Sequence, residues 1–132
     1  MIALDTSVVV RVLTADDPVQ LAVARRTMRT GPLFLSKTVL LETEWVLRYS
    51  YELGRAEIGG ALGKLVRYRG MEVEDLPAVL EALSWHAGGM DLADALHLAS
   101  ARHADALATF DRRLATTAEA LGCAPRVQLL RS

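Results

Sequence analysis

Four acidic residues define the chemistry open to this chain: Asp5, Glu42, Asp94 and Asp111. Asp5 ends the apolar run Ile2-Ala3-Leu4 and precedes Thr6 and Ser7, both good turn and helix-start residues. The pattern predicts a buried strand from Ile2 to Leu4, with Asp5 at its C-terminal tip and a helix beginning near Ser7. In open parallel α/β sheets, ligands bind outside the carboxyl ends of the strands, so a carboxylate at that tip is placed for chemistry. The same residue also has an ordinary explanation as a helix cap. Asp111, in TFDRRL, repeats the order strand, acid, helix, and capping again suffices to explain it.

Glu42 and Asp94 are harder to explain locally. Glu42 lies in TVLLETEWVLRYSY, which reads as a helix from about Thr38 to Tyr51. Thr38, Val39, Trp45 and Val46 share its face, and no basic residue stands within a turn. A carboxylate on a mostly apolar face must find a cation, a hydrogen bond or a proton. Glu44 differs, because Arg48 follows four residues on in the favourable order, and the two read as a solvated surface pair. Asp94 sits in MDLADALHLASARHA, with Leu92, Ala93, Ala95, Leu96, Leu98 and Ala99 around it. A helix apolar on almost every side is a buried one. The charged neighbour of Asp94 is Asp91, which carries the same sign. Asp91 has the further explanation of a residue beside a helix N-terminus. His97 reads as a packing or hydrogen-bonded side chain, and His86 and His103 show no metal-ligand spacing.

The elements that must position these acids alternate between strand and helix. After the first helix, Asp17 and Pro18 mark the start of a second, from about Val19 to Thr30, and Asp16 belongs to the same turn. Gly31 and Pro32 stop it, and Leu33 to Leu35 reads as a buried strand. Past the Glu42 helix come a helix from Arg55 to Tyr68 and a short strand from Met71 to Val73. Asp75 is placed to cap a helix from Leu76 to His86, and the Asp94 helix follows. Ala106 to Phe110 reads as a strand, Arg112 to Leu121 as a helix and Arg126 to Leu130 as a last edge strand. Such alternation predicts a parallel sheet in a single α/β domain over residues 1–132. Strand tips ending in Asp5 and Asp111 then share one edge, within reach of the Glu42 and Asp94 helices. Carboxylates packed together repel unless a cation binds. Hard oxygen ligands without a His or Cys cluster point to Mg²⁺ or Mn²⁺, and the chemistry that fits is hydrolysis of a phosphodiester.

Composition bounds the alternatives. A formal net charge of −1 supplies no bulk attraction to nucleic acid, so any such partner must be met by local patches. Lys37 and Lys64 are the lysines; the remaining basic residues are Arg, whose planar fork suits phosphate. Arg25, Arg26 and Arg29 fall in one segment, and Arg67, Tyr68 and Arg69 in another. One cysteine, Cys123, allows neither a disulfide framework nor a thiolate zinc site. The first residues do not resemble a signal peptide, and no apolar run reaches the roughly 18 residues of a spanning helix, so a cytoplasmic location is the expectation.

Four segments together resemble the PIN-domain ribonucleases, and among them the VapC-type toxins of bacterial toxin–antitoxin pairs. They are MIALDTSVVVRVL followed by DDP, then LLETEWVLR, DLADALHLASA and TFDRRL. The resemblance covers nearly the whole chain. It implies a PIN-like three-layer α/β/α sandwich around a parallel sheet of four or five strands, and a Mg²⁺- or Mn²⁺-dependent endoribonuclease. It also implies an RNA substrate, a homodimer and a cognate antitoxin that inhibits it. Asp5 and Asp94 would bind metal directly, and Glu42 and Asp111 would complete the acidic pocket. Ser7 stands where many family members carry Asn; it can still hydrogen-bond a neighbouring carboxylate. Other readings are a different metal phosphohydrolase or a PIN fold used only for binding. Haloacid-dehalogenase phosphatases need a second Asp where Ser7 stands, and receiver domains want a late lysine where TFDRRL offers arginines.

Overall fold

In the computed structural model, which describes residues 1–132, strand and helix alternate in the predicted order. β1 (Ile2–Ala3) runs into α1 (Thr6–Thr14), and the switch falls at Asp5, which keeps an extended backbone while its side chain accepts the Ser7 amide. Asp17 caps α2 (Pro18–Met28), and Pro18 occupies the first turn, where a missing N–H costs nothing. β2 (Leu33–Leu35) follows, and Ser36 then caps α3 (Lys37–Tyr49) through the Val39 amide. α4 (Arg55–Val66) and β3 (Met71–Val73) complete a first compact unit, Met1–Glu74. The second unit, Asp75–Ser132, holds α5 (Leu76–Ala87), α6 (Leu92–Ser100), β4 (Ala106–Thr109), α7 (Arg112–Leu121) and β5 (Arg126–Leu129).

All strand pairs are parallel, but the strands form two sheets rather than one of four or five. The first unit orders its strands β1-β2-β3, with Ile2 opposite Leu33 and Leu33 opposite Met71. The second pairs β4 with β5 over four residues, from Ala106 opposite Arg126 to Thr109 opposite Leu129. β1 is two residues long and pairs on one side only, so it offers little backbone for a second neighbour. Its place at an edge also corrects the prediction of a buried strand. Ile2 is 45% exposed and Ala3 is exposed, and only Leu4 goes into the core. β2, the middle strand, is the buried one, with Leu33 and Leu35 fully covered.

The core of the first unit is supplied by Val9, Leu33, Leu35, Leu40, Leu47, Ile58 and Leu62. Each such aliphatic side chain contributes about 1.5–3 kcal/mol on full burial. In the second unit α5 packs on α6, where Val79, Ala82, Leu92, Ala95 and Leu98 are almost wholly buried. Small Ala side chains let those two helices approach closely. Asp75 takes a left-handed backbone (φ 50°) and does not cap α5 with its side chain as predicted. Its carboxylate instead meets Arg102 at 2.6 Å, because an ion pair with a passing guanidinium outcompetes an amide that the turn aims elsewhere. No helix is long and apolar enough to cross a membrane.

Candidate active site

In the first unit the site residues sit at the carboxyl edge of the sheet. Asp5 follows β1, and its Oδ2 accepts both the Ser7 hydroxyl at 2.8 Å and the Ser7 amide at 3.3 Å. The Ser7 hydroxyl above all, then the Ser7 and Thr6 amides, holds the Asp5 carboxyl below the usual carboxylate range. Ser7 thus does make the carboxylate contact expected of that position. Thr6, the first residue of α1, is buried, and its hydroxyl donates to Glu42 Oε1 at 2.5 Å. That bond joins two segments 36 residues apart and places Glu42 beside the Asp5 turn.

The surroundings of Glu42 differ from the prediction. Glu42 is exposed, and so are Thr38 and Trp45 on its face. The face that α3 buries carries Leu40, Thr43, Glu44 and Leu47. Glu44 is therefore the buried acid, 2% exposed, and not half of a solvated surface pair. Arg48 satisfies it with Nε at 2.7 Å from Oε2 and Nη2 at 3.1 Å from Oε1. A helix advances about 100° per residue, so two positions two apart face nearly opposite ways, and burying one exposes the other. Arg48 in turn lies over the Tyr49 ring at 4.6 Å. The sequence reading passed over a further acid at this edge, Glu74, which follows β3. Its Oε1 accepts the Lys37 amide at 2.8 Å, so it helps to cap α3. No local signal could have found it, since the two residues are 37 apart. Asp16 has a structural role, bound to Arg11 at 2.7 Å and to the Tyr51 hydroxyl at 2.7 Å.

In the second unit Asp94 lies in the first turn of α6, half-buried rather than enclosed, because α6 turns Asp91, Asp94 and His97 towards its open side. Burial pushes the Asp94 carboxyl up from 3.8, and the charges of Asp91 and then Asp111 add to it, against weaker opposing pulls from His97 and Arg113. Asp91 stands at the cap position of α6 without capping it through its side chain. Asp111 follows β4 and caps α7, with Oδ1 accepting the Arg113 amide at 2.9 Å and the Leu114 amide at 3.1 Å. The second unit thus gathers Asp91, Asp94 and Asp111 within electrostatic reach.

The capping and chemical readings of these acids are not alternatives. Asp5, Glu42 and Asp111 each engage one carboxylate oxygen in protein hydrogen bonds and leave the other uncommitted. One bonded oxygen fixes the orientation; the second remains available. In each unit these carboxylates are hard oxygen donors, which suit Mg²⁺ or Mn²⁺. Within either unit, no three His, Cys, Asp or Glu side chains stand close enough together to enclose a metal. Mg²⁺ does not need such a cage, since it is held by one or two carboxylates and keeps several waters. The like charge around Asp94 is what a cation would neutralise, so the residues fit such an ion.

Parallel strands whose carboxyl ends lead into acid-capped helices define an α/β protein. Residues 2–120 match the PIN domain family, and the chain belongs to it. PIN domains are generally metal-dependent nucleases. Neither a curated protein nor a solved structure matches the chain.

Proposed function

We propose that this protein is a Mg²⁺- or Mn²⁺-dependent endoribonuclease and the toxin of a type II toxin–antitoxin pair, of VapC type. Asp5, Glu42, Asp94 and Asp111 are its catalytic residues, with Asp5 and Asp94 the direct metal ligands. The observation that carries the reading is the half-committed carboxylate: Asp5, Glu42 and Asp111 are each aimed through one oxygen and open at the other. When bound, the metal supplies a water of lowered pKa and a clamp on the attacking and leaving oxygens of the phosphodiester. The chain's own residues hold the acids in place. Ser7 orients Asp5 and favours its ionised form, the buried Thr6 hydroxyl orients Glu42, and the first amides of α7 orient Asp111. Asp94, raised by burial and then by the charges of Asp91 and Asp111, gains from a cation.

The test is cleavage of RNA by purified protein with Mg²⁺. Asp5→Asn and Asp94→Asn abolish cleavage while circular dichroism and melting show an intact fold. Wild-type rates in either variant refute the assignment. A second reading is a PIN fold that binds without cleaving. Metal binding by calorimetry with no cleavage of any cellular RNA would favour it. The toxin reading further entails a homodimer in the cytoplasm and an antitoxin encoded beside the chain. An Arg or Lys of that partner would compete with metal for the carboxylates through a charge-assisted fork. Changing that residue to Ala relieves inhibition at saturating partner more than it weakens the complex.

A further inference from the structure

The first unit has a second charged surface, at the opposite end of its sheet from Asp5 and Glu42. β2 and β3 are parallel neighbours, so the loops that enter them lie side by side at the amino edge. One loop closes α2, and Arg25, Arg26 and Arg29 stand on its approach; the other closes α4 and carries Arg67 and Arg69. The loops are tied together directly. The Tyr68 hydroxyl donates to the Met28 carbonyl at 3.3 Å, and the Leu33 amide donates to the Gly70 carbonyl at 2.9 Å. Two arginine-bearing segments 40 residues apart in the chain thereby end side by side at one edge of the sheet.

All five arginines are exposed, and none takes part in an ion pair. Arg67 is partly occupied, its guanidinium donating to the Gly63 carbonyl at 3.1 Å. α2 contains no acidic residue, and the one in α4, Glu57, is in its first turn at the far end. Glu72, on β3, is the nearest acid in sequence to this edge. Arginines near a helix C-terminus complement its dipole, which explains Arg25 and Arg26 but not the second cluster brought against them. In a chain of net charge −1, five exposed arginines outside any ion pair at one edge of the sheet are a local excess of positive charge. Arginine forks match phosphate oxygens, and contacts to a phosphate backbone fix the position of a nucleic acid without reading its sequence.

We propose that this arginine patch is a second RNA-contacting surface, which grips the phosphate backbone of the substrate away from the acids that cleave it. The identity of the ligand rests on the ribonuclease reading above. β2 is three residues long, about 10 Å at 3.3 Å per residue, so the patch and the acidic edge are separated by a distance that a short RNA segment spans. The acids cannot grip the polyanion themselves, since they repel it unless neutralised.

The experiment uses the full chain and a fluorescein-labelled single-stranded 20-nucleotide RNA, followed by anisotropy in EDTA across 50–300 mM salt. The variant is Arg25→Gln, Arg26→Gln, Arg29→Gln, Arg69→Gln, with Arg67 left to close α4. Each phosphate neutralised on a single strand adds about 0.7 to the slope of log affinity against log salt. The variant's slope is therefore smaller by up to about 3, and its affinity at 0.1 M salt falls on the order of a hundredfold. The four corresponding Arg→Lys changes keep the slope, which separates lost charge from lost folding. Arg126→Gln with Arg131→Gln is the control and leaves the slope in place. Equal slopes for wild type and the Gln variant overturn the proposal, as does an equal loss in the control. Tighter binding of a labelled polyglutamate peptide than of RNA reassigns the patch to an acidic protein and overturns it too. The two readings fail separately. RNA cleavage with unaltered slopes removes the patch alone, and a patch-dependent slope without cleavage in Mg²⁺ removes the nuclease alone.

Discussion

Glu44→Gln probes the packing behind the site. Glu44 is 2% exposed and receives two charge-assisted hydrogen bonds from Arg48, at 2.7 and 3.1 Å. Gln keeps the shape and one acceptor, but it turns an amide N–H₂ against a guanidinium and removes the charge. A solvated helical pair at this spacing is worth about 0.3–0.5 kcal/mol. Breaking a fully buried pair costs about 3–5 kcal/mol. Here the Arg48 side chain is 41% exposed, so its charge falls back on water once released and the larger figure does not apply. The loss is close to one hydrogen bond to a charged group, about 1.5–3 kcal/mol. With an unfolding entropy of about 2.1 cal/mol/K per residue over 132 residues, that lowers Tm by about 5–11 °C. Thermal melts of the purified chain at pH 7 measure it, and a double-mutant cycle with Arg48→Ala isolates the pair. A shift under about 2 °C would mean that the pair behaves as a solvated one and that burial of the carboxylate has been overvalued. Cleavage by Glu44→Gln stays within about twofold of wild type, because Glu44 faces the core and not the substrate.

Three further outcomes follow from the acids. Asp94 has a folded pKa above 3.8, so the folded state binds its proton more tightly than the unfolded state does; the penalty is full above the folded pKa and vanishes below 3.8. Asp94→Asn therefore raises the metal-free Tm at neutral pH, and the gain shrinks as pH falls through that window; a variant less stable at pH 7 contradicts this. Asp5 has the opposite sign, and Ser7→Ala, by removing the largest of the bonds that lower it, returns the Asp5 carboxyl towards 3.8, which an NMR titration of the carboxyl carbon reads directly. Mg²⁺ raises the Tm of the wild type near pH 7 and less in acid, where the carboxylates protonate. Equal Mg²⁺ stabilisation of an Asp5→Asn, Asp94→Asn double variant would place the ion elsewhere.

The chain's local rules are legible in its sequence. Strand and helix spans agree within one to three residues at nearly every boundary, because they depend on residues within a turn of one another. The caps at Asp17 and Asp111 and the Asp5 turn were visible for the same reason: a side chain reaches an amide two or three residues on. What the sequence left open was decided by where distant segments return. α3 has apolar residues on more than one face, with Val39, Trp45 and Val46 on one and Leu40, Thr43 and Leu47 on another, so periodicity does not say which face is covered. Tertiary packing chose the second, which buried Glu44 and left Glu42 open with one bond to Thr6. Ile2 looked like a core strand residue, yet β1 is an edge, and exposure follows from the order of strands rather than from their hydropathy. Arg26 has a local explanation at the end of α2, but only the parallel pairing of β2 with β3 brings its loop beside that of Arg69. The sequence by itself determined the elements and the acids at their ends, since capping and periodicity act over a few residues. Which acids are held, buried or left to meet one another was decided by the tertiary structure, because contacts such as Thr6 to Glu42 and Lys37 to Glu74 join residues 36 and 37 positions apart, and no short-range rule acts over that separation.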